Sequence, residues 1–205
     1  MNNMNKNTIR KVPLDLESPL EKKFILLAEF LNPYFKKYNF TPNGITTLST
    51  IFIVLTLYFF YYDYYLLAAV CIVIEYIFDC CDGSYARKYN MTSKFGDIYD
   101  HVTDMSLIVG IFIIILVKPL KIHIKIMSLL VFCISLWLLT IHMGCSEEYM
   151  NAKKRRPKND SILNSITFCI GDYNDVLKWS KYFSPITGIL VCVCIFIIFH
   201  FIEIY

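Results

Sequence analysis

The sequence DCCDGSYAR, residues 79–87, and the sequence GDIYDHVTD, residues 96–104, stand at the ends of two long apolar runs. The first holds two aspartates three residues apart, and the second ends on two aspartates four apart, so each pair shares one face of a helix. The runs are consecutive and their connection is of modest length, which lets them pack antiparallel with these faces opposed. The carboxylates predicted to meet are those of Asp79, Asp82, Asp100 and Asp104.

Four carboxylates gathered beside hydrocarbon repel one another and lose hydration, so a cation has to accompany them. Donor sets made only of oxygen suit Mg²⁺, Mn²⁺ or Ca²⁺ rather than zinc. Four bridging carboxylates are enough for a two-metal site, whose ions usually stand about 3.5–4 Å apart. We therefore expect the four aspartates to bind two divalent ions, Mg²⁺ or Mn²⁺.

Small residues and one arginine lie between the two pairs. Gly83 and Ala86 leave room for a ligand to approach the backbone, and Arg87 is suited to a forked contact with phosphate. Taken together with the aspartates, they predict a diphosphate site. Taken singly, each residue favours another interpretation: the aspartates as separate helix caps or a cation path, and Arg87 as an interfacial side chain.

The composition predicts a membrane protein. Of the 205 residues, 56% are hydrophobic and 18% charged, and the mean hydropathy is +0.49. A soluble domain usually has about 25% charged residues. Five apolar runs approach the roughly 20 residues needed to cross a bilayer: Ile45–Tyr62, Tyr64–Phe78, Asp100–Val117, Ile126–Met143 and Pro185–Ile202.

The predicted fold is therefore all-α, a polytopic membrane helix bundle with five transmembrane spans, in which a sixth is short or absent. Ser161–Gly171 is apolar but too short to cross, and we interpret it as interfacial or re-entrant. Three divisions follow: a polar tail at residues 1–17, an interfacial amphipathic helix at 18–40 and the transmembrane domain at 41–205.

The amphipathic helix is predicted from its cap and its spacing. Ser18 and Glu21 form a capping box with Pro19 at the first helical position, and Pro33 should kink or break the helix. A basic helix of this kind lies in the membrane interface, although packing of a soluble helix on a partner is the alternative. Its apolar stripe is Leu20, Phe24, Leu27, Leu31 and Phe35.

Lysine and arginine counts predict a cytoplasmic N-terminus and a cytoplasmic active site. The N-terminal arm, the connection at residues 79–99 and the basic run Lys153–Lys158 fall on one side in that orientation, and the lysines of residues 118–125 argue more weakly against it. The eight cysteines include no C-x-x-C pair, which argues against zinc. Most lie in apolar runs, and Cys80 and Cys81 are interpreted as packing residues.

The two aspartate stretches match the CDP-alcohol phosphatidyltransferase signature at every fixed position, and the chain resembles that family from about Ser18 to Met143. The element Pro42-Asn43-Gly44-Ile45-Thr46 resembles a second motif of the family. The resemblance implies that Asp79, Asp82 and Asp100 bind metal and that Asp104 completes the coordination and acts as general base. It also implies substrate-binding positions, namely Gly83, Arg87, Ser93, Asn43 and Thr46, although helix capping accounts equally well for Asn43.

The activity that the resemblance implies is direct displacement: an alcohol hydroxyl attacks the phosphate of a CDP-linked lipid or alcohol donor, and CMP leaves. The acceptor alcohol stays open, because His101 after Asp100 resembles the aminoalcohol branch and the short length resembles the inositol and glycerophosphate branches. Lys88 and Lys94 are candidates for an acceptor phosphate or are simply interfacial lysines. We expect the lipid bilayer and a second copy of the chain, as a homodimer, to be its partners, and no nucleic acid. A cation transporter is the alternative class, although it has no use for Gly83, Ala86 and Arg87 at this spacing.

Overall fold

The computed structural model describes Pro13, residues 16–152 and residues 168–204, and every regular element in these ranges is a helix. The elements are α1 (Pro19–Lys37), α2 (Pro42–Tyr61), α3 (Tyr65–Lys88), α4 (Lys94–Val117), α5 (Ile122–Ala152), α6 (Tyr173–Ser180), a 3₁₀ turn (Lys181–Phe183) and α7 (Pro185–Ile204). This confirms the all-α expectation for the described residues.

Within these ranges, four segments are long and apolar enough to cross a membrane. They are Pro42–Tyr61, Lys94–Val117, Ile122–Ala152 and Tyr173–Ile202, the last joining α6, the 3₁₀ turn and α7. The five predicted spans are thus confirmed only in part. The predicted span Tyr64–Phe78 lies in α3, whose apolar run is interrupted by Glu75 and by the two signature aspartates. The predicted piece Ser161–Gly171 begins outside the described residues.

Helix α3 lies at the centre of the bundle. It packs most extensively against α2 and also contacts α1 and α7, while α4 packs against α2. The turns before α2, α3 and α4 each contain one residue with positive φ, at Asn39 (56°), Asp63 (68°) and Asn90 (53°). Asn and Asp tolerate this left-handed conformation better than other residues with a side chain. These turns reverse the chain, so the C-terminal half of α3 faces the beginning of α4.

Helix α1 has the predicted cap but not the predicted break. The Ser18 Oγ accepts a hydrogen bond from the Glu21 N–H at 3.1 Å, as the capping box requires. Pro33 lies inside the helix, which continues to Lys37, so of the predicted kink or break the break does not occur. Packing on the rest of the chain offsets the lost hydrogen bond, since Leu31 and Phe35 contact a buried cluster that includes Cys81. The interfacial position of α1 stays a prediction.

Helix α4 begins earlier than the predicted span. The apolar run suggests a start at Asp100, but the helix starts at Lys94 because Ser93 caps it, and its Oγ accepts from the Gly96 N–H at 3.0 Å. Asp100 and Asp104 therefore lie within a formed helix rather than at its entrance. This fixes their separation at about one helical turn.

Candidate active site

Three of the four aspartates form one tight group. One carboxylate oxygen from each of Asp79, Asp82 and Asp100 lies within 4.8 Å of the other two. A second group, Asp100, His101 and Asp104, meets the same criterion. The structure therefore brings together all four predicted ligands, as two adjoining groups that share Asp100.

The donor set fits the divalent ions expected from the sequence. Asp82 is buried, at 5% exposure, and the other three aspartates are partly buried, so their mutual repulsion is poorly screened by water. Two groups joined by one shared carboxylate would offer oxygen donors for two ions. His101, which sequence reasoning did not place at the site, adds a nitrogen donor. The sequence feature that could have identified His101 is its position next to Asp100 and three residues before Asp104.

Thr46 holds one of the aspartates. Its Oγ donates a hydrogen bond to the Asp82 Oδ2 at 2.6 Å, and Thr46 itself is buried at 3% exposure. Because a hydroxyl bonded to a carboxylate oxygen fixes the orientation of that carboxylate, α2 orients a side chain of α3 here. Thr46, which the sequence predicts to line the substrate pocket, lines this cavity and also contacts Asp82.

Arg87 folds back over Gly83. A Cβ on Gly83 would lie 3.2 Å from the Arg87 Nη1, so glycine gives the guanidinium room to lie against the helix. Arg87 is partly buried and lies within electrostatic reach of Asp82, Asp100 and Asp79. The space at Gly83, which the sequence interpretation left for a ligand, is instead occupied by the guanidinium of Arg87, the residue that is predicted to bind the ligand.

Asn43 does not cap α2. Thr41 has that role, since its Oγ1 accepts from the Gly44 N–H at 3.1 Å, so the capping alternative for Asn43 was wrong. The Asn43 Oδ1 instead lies 3.0 Å from the position that a Cβ on Gly96 would occupy. The start of α2 therefore touches the start of α4, and both Asn43 and Ser93 line the cavity.

These residues enclose one cavity of about 570 Å³. The four aspartates and all five predicted substrate-binding residues line it. A further wall, which sequence reasoning missed, comes from α5 and from the start of α1. Its α5 residues recur at helical spacing and so share one face: His142, Met143, Ser146, Glu147 and Met150. Glu17 and Glu21 complete it from the α1 side.

A disulfide lies directly behind the α5 wall. Cys145 and Cys169 are bonded, with their Cα atoms 4.6 Å apart. Gly144 permits this approach, because a Cβ there would lie 2.5 Å from the backbone C and O of Phe168. Pairing of cysteines cannot be deduced from spacing alone, and this one was not predicted. A hydrogen bond also joins α5 to α6, between the His142 Nδ1 and the Ser180 Oγ at 3.1 Å.

The fold and the cavity define an integral membrane protein with an acidic site at one end of its helix bundle. A family model, CDP-alcohol phosphatidyltransferase, matches residues 39–202, and the chain belongs to that family. The resemblance stated from the signature is thereby confirmed. Membership implies transfer of a phosphatidyl group from a CDP-alcohol in phospholipid synthesis. No curated protein and no solved structure matched the chain.

Proposed function

We propose that the protein is a membrane-embedded transferase that moves a substituted phosphate, phosphatidyl or phosphoalcohol, from a CDP-alcohol to an acceptor alcohol and releases CMP. The observation that carries this proposal is a shared cavity that contains the four signature aspartates together with Arg87. In that cavity, carboxylates suited to metal binding stand beside a cation suited to a diphosphate.

The ion-binding residues are Asp79, Asp82, Asp100 and Asp104. Mg²⁺ or Mn²⁺ bound there, as two ions, would neutralise the negative charge of the donor diphosphate. Thr46 supports this arrangement because its hydrogen bond holds the Asp82 carboxylate in one orientation.

The protein residues handle the proton and position the donor. The Asp104 carboxylate accepts the proton of the acceptor hydroxyl, whose oxygen forms a new bond to the phosphorus next to the donor alcohol. The bond from that phosphorus to the CMP oxygen breaks, and CMP leaves. Arg87 binds the CDP phosphates, and Gly83, Ser93, Asn43 and Thr46 contact the nucleotide part of the donor.

The proposed topology has five membrane crossings. They are α3 and the four segments that are long and apolar enough to cross a membrane. The carboxylates near the end of α3 are compatible with a crossing because they face the protein cavity. The N-terminus and the active site are placed in the cytoplasm, α1 in the interface at residues 18–40, and the catalytic domain at 41–205. The homodimer stays a prediction. Measuring the mass of the detergent-solubilised protein tests it.

Arg87 separates this proposal from a cation transporter. If Arg87 binds the donor, Arg87→Ala weakens CDP binding about ten- to a hundredfold, because a charge-assisted hydrogen bond is lost. Arg87→Lys restores only part of the affinity, since an ammonium cannot make the forked contact. The measurement is competition by CDP against a labelled CDP-donor in nanodiscs.

The neighbouring Lys88→Ala is the matched control, because it removes a positive charge from the same helix end at a residue that does not line the cavity. Equal CDP affinity in wild type, Arg87→Ala and Arg87→Lys would remove Arg87 from the site. A wild type that binds no nucleotide would favour the transporter.

A further inference from the structure

One polar side chain of α1 is buried against the signature stretch of α3 and is bonded to it. Asn32 is 0% exposed, and its Nδ2 donates a hydrogen bond at 2.9 Å to the Oγ of Ser84, which is 2% exposed. The small residues Ala28 and Cys81 are buried in one cluster, which lets the two helices approach closely enough for the short asparagine side chain to reach. Ser84 lines the cavity, so α1 is bonded to a residue of the cavity wall.

The direction of this hydrogen bond follows from the single proton of the serine hydroxyl. The Ser84 Oγ donates that proton to the Cys81 carbonyl oxygen at 3.1 Å, so it can only accept from a further partner. Asn32 is therefore the donor, and its Oδ1 has no hydrogen-bond partner among the described residues. A buried oxygen without a partner costs free energy, and an apolar side chain of similar volume would avoid that cost. Packing alone therefore does not explain an asparagine at this position.

A second hydrogen bond holds the same turn of α3 from a different direction. The Tyr85 hydroxyl donates at 2.8 Å to the carbonyl oxygen of Phe40, which lies in the turn between α1 and α2. Successive residues point about 100° apart around a helix, so the bonds of Ser84 and Tyr85 together fix the rotation of α3 about its axis. Arg87 stands three residues beyond Ser84 on the same side of the helix. Its position therefore depends on these two bonds.

We propose that Asn32 is a positioning residue of the donor site, because its hydrogen bond to Ser84 holds the turn of α3 that carries Arg87 in place for the CDP phosphates. The inference rests on the proposed function and adds a residue to it from outside the family match, which begins at residue 39, whereas α1 ends at Lys37. Asn32 does not itself line the cavity and acts through Ser84. Since a shift of about 1 Å in a binding group is enough to weaken its contact, loss of this bond should appear in the affinity for the donor.

Asn32→Leu tests this role, because it removes the amide and keeps a side chain of similar volume. CMP release by the full chain in nanodiscs is measured over a range of donor concentrations, with CDP-diacylglycerol and with CDP-choline, and CDP binding is measured by competition. The KM for the donor and the Kd for CDP rise about three- to tenfold, as expected for one lost hydrogen bond, while kcat stays within about twofold of wild type. The melting temperature does not fall, because Ser84 keeps its bond to Cys81 and the unpartnered oxygen is gone.

Thr56→Val is the matched control. Thr56, on α2, is also fully buried, its Oγ1 has no hydrogen-bond partner among the described residues, and it does not line the cavity. Valine has the same shape without the hydroxyl, so this variant too removes a buried unpartnered oxygen. Its KM for the donor stays at the wild-type value, because no bond to the signature turn is lost.

Ser84→Ala removes the same hydrogen bond from its other partner, which matters if Asn32→Leu fails to fold. It also raises the KM for the donor, and the double variant raises it no further than the larger single change, because both changes remove one interaction. An unchanged KM in the single variants, an equal rise in Thr56→Val, a loss confined to kcat and melting temperature, or failure of both single variants to fold overturns the inference while the proposed function stands. Absence of CMP release from both donors and of CDP binding in wild type contradicts both.

Discussion

Asp104 shares a cavity with the other signature aspartates but not the same neighbours. It groups with Asp100 and His101, whereas Asp79 and Asp82 form the other group with Asp100. This separate grouping is compatible with the general-base role that we propose for Asp104. The sequence could not separate the four roles, because its spacing only says that each pair shares a helix face.

Asp104→Asn tests that role. As general base, Asp104 contributes about 10²–10⁴-fold to the rate, so the variant loses kcat by that factor and keeps most of its affinity for the CDP-donor. CMP release and calorimetric titration of the donor, with Mg²⁺ present, measure the two quantities. A parallel fall in donor affinity and turnover would make Asp104 chiefly a metal ligand.

Residue contacts across helices were the part of the site least visible in the sequence. The signature placed the four aspartates and Arg87, because those residues are close along the chain and have a recognisable spacing. The hydrogen bond from Thr46 to Asp82 joins residues far apart in the sequence. Glu147, which lines the same cavity, is also far from the signature along the chain. Such pairs are set by how the helices pack, which a single sequence does not specify.

At the scale of helices, a lysine clamp closes the end of the bundle opposite the aspartates. Lys118, 5% exposed, follows the last turn of α4 and donates hydrogen bonds to the Asp63 carboxylate and, at 3.2 Å, to the Tyr65 hydroxyl. Its Nζ also lies 5.4 Å from the Phe60 ring centroid and 4.9 Å from that of Tyr65. The clamp joins α4 to the turn between α2 and α3.

Lys118→Met should destabilise the bundle without touching the site. Loss of a charge-assisted hydrogen bond costs about 1.5–3 kcal/mol, and each kcal/mol lowers the melting temperature by about 2–4 °C in a chain of this size. Thermal unfolding in detergent measures the shift. Lys121→Met, at an exposed neighbouring lysine, is the control and should melt like wild type. An unchanged melting temperature in Lys118→Met would mean that the clamp contributes little.

Helix existence was easier to predict than helix ends. Apolar periodicity and the Ser18 cap identified α1, but α4 begins at Lys94 because of a serine cap that hydropathy does not register. Pro33 shows the opposite error, since a strong local signal for a break was overridden by packing. Local rules set preferences of a few kcal/mol at most, and tertiary contacts can exceed them.

For the molecule as a whole, the two ends of the bundle have different characters. The aspartate end holds the cavity, while the α2–α3 turn at the clamp end carries a group of exposed tyrosines: Tyr58, Tyr61, Tyr62 and Tyr64. Tyrosines are enriched at the level of lipid head groups, so this group is expected at the far membrane surface. Composition was enough to predict a membrane bundle. It was not enough to count the crossings, because α3 carries the polar residues of the site within its own length.

The central claim is metal-dependent transfer from a CDP-alcohol, and one assay tests it most directly. CMP release by the purified protein should require Mg²⁺ or Mn²⁺, stop in excess EDTA and return when the metal is restored. Asp79→Asn should abolish release while the protein still inserts and elutes as wild type, because one lost ligand unbalances a shared site. Glu148→Gln, at an exposed residue outside the cavity, should keep full activity. Full CMP release by Asp79→Asn, or unchanged release in excess EDTA, would contradict the account.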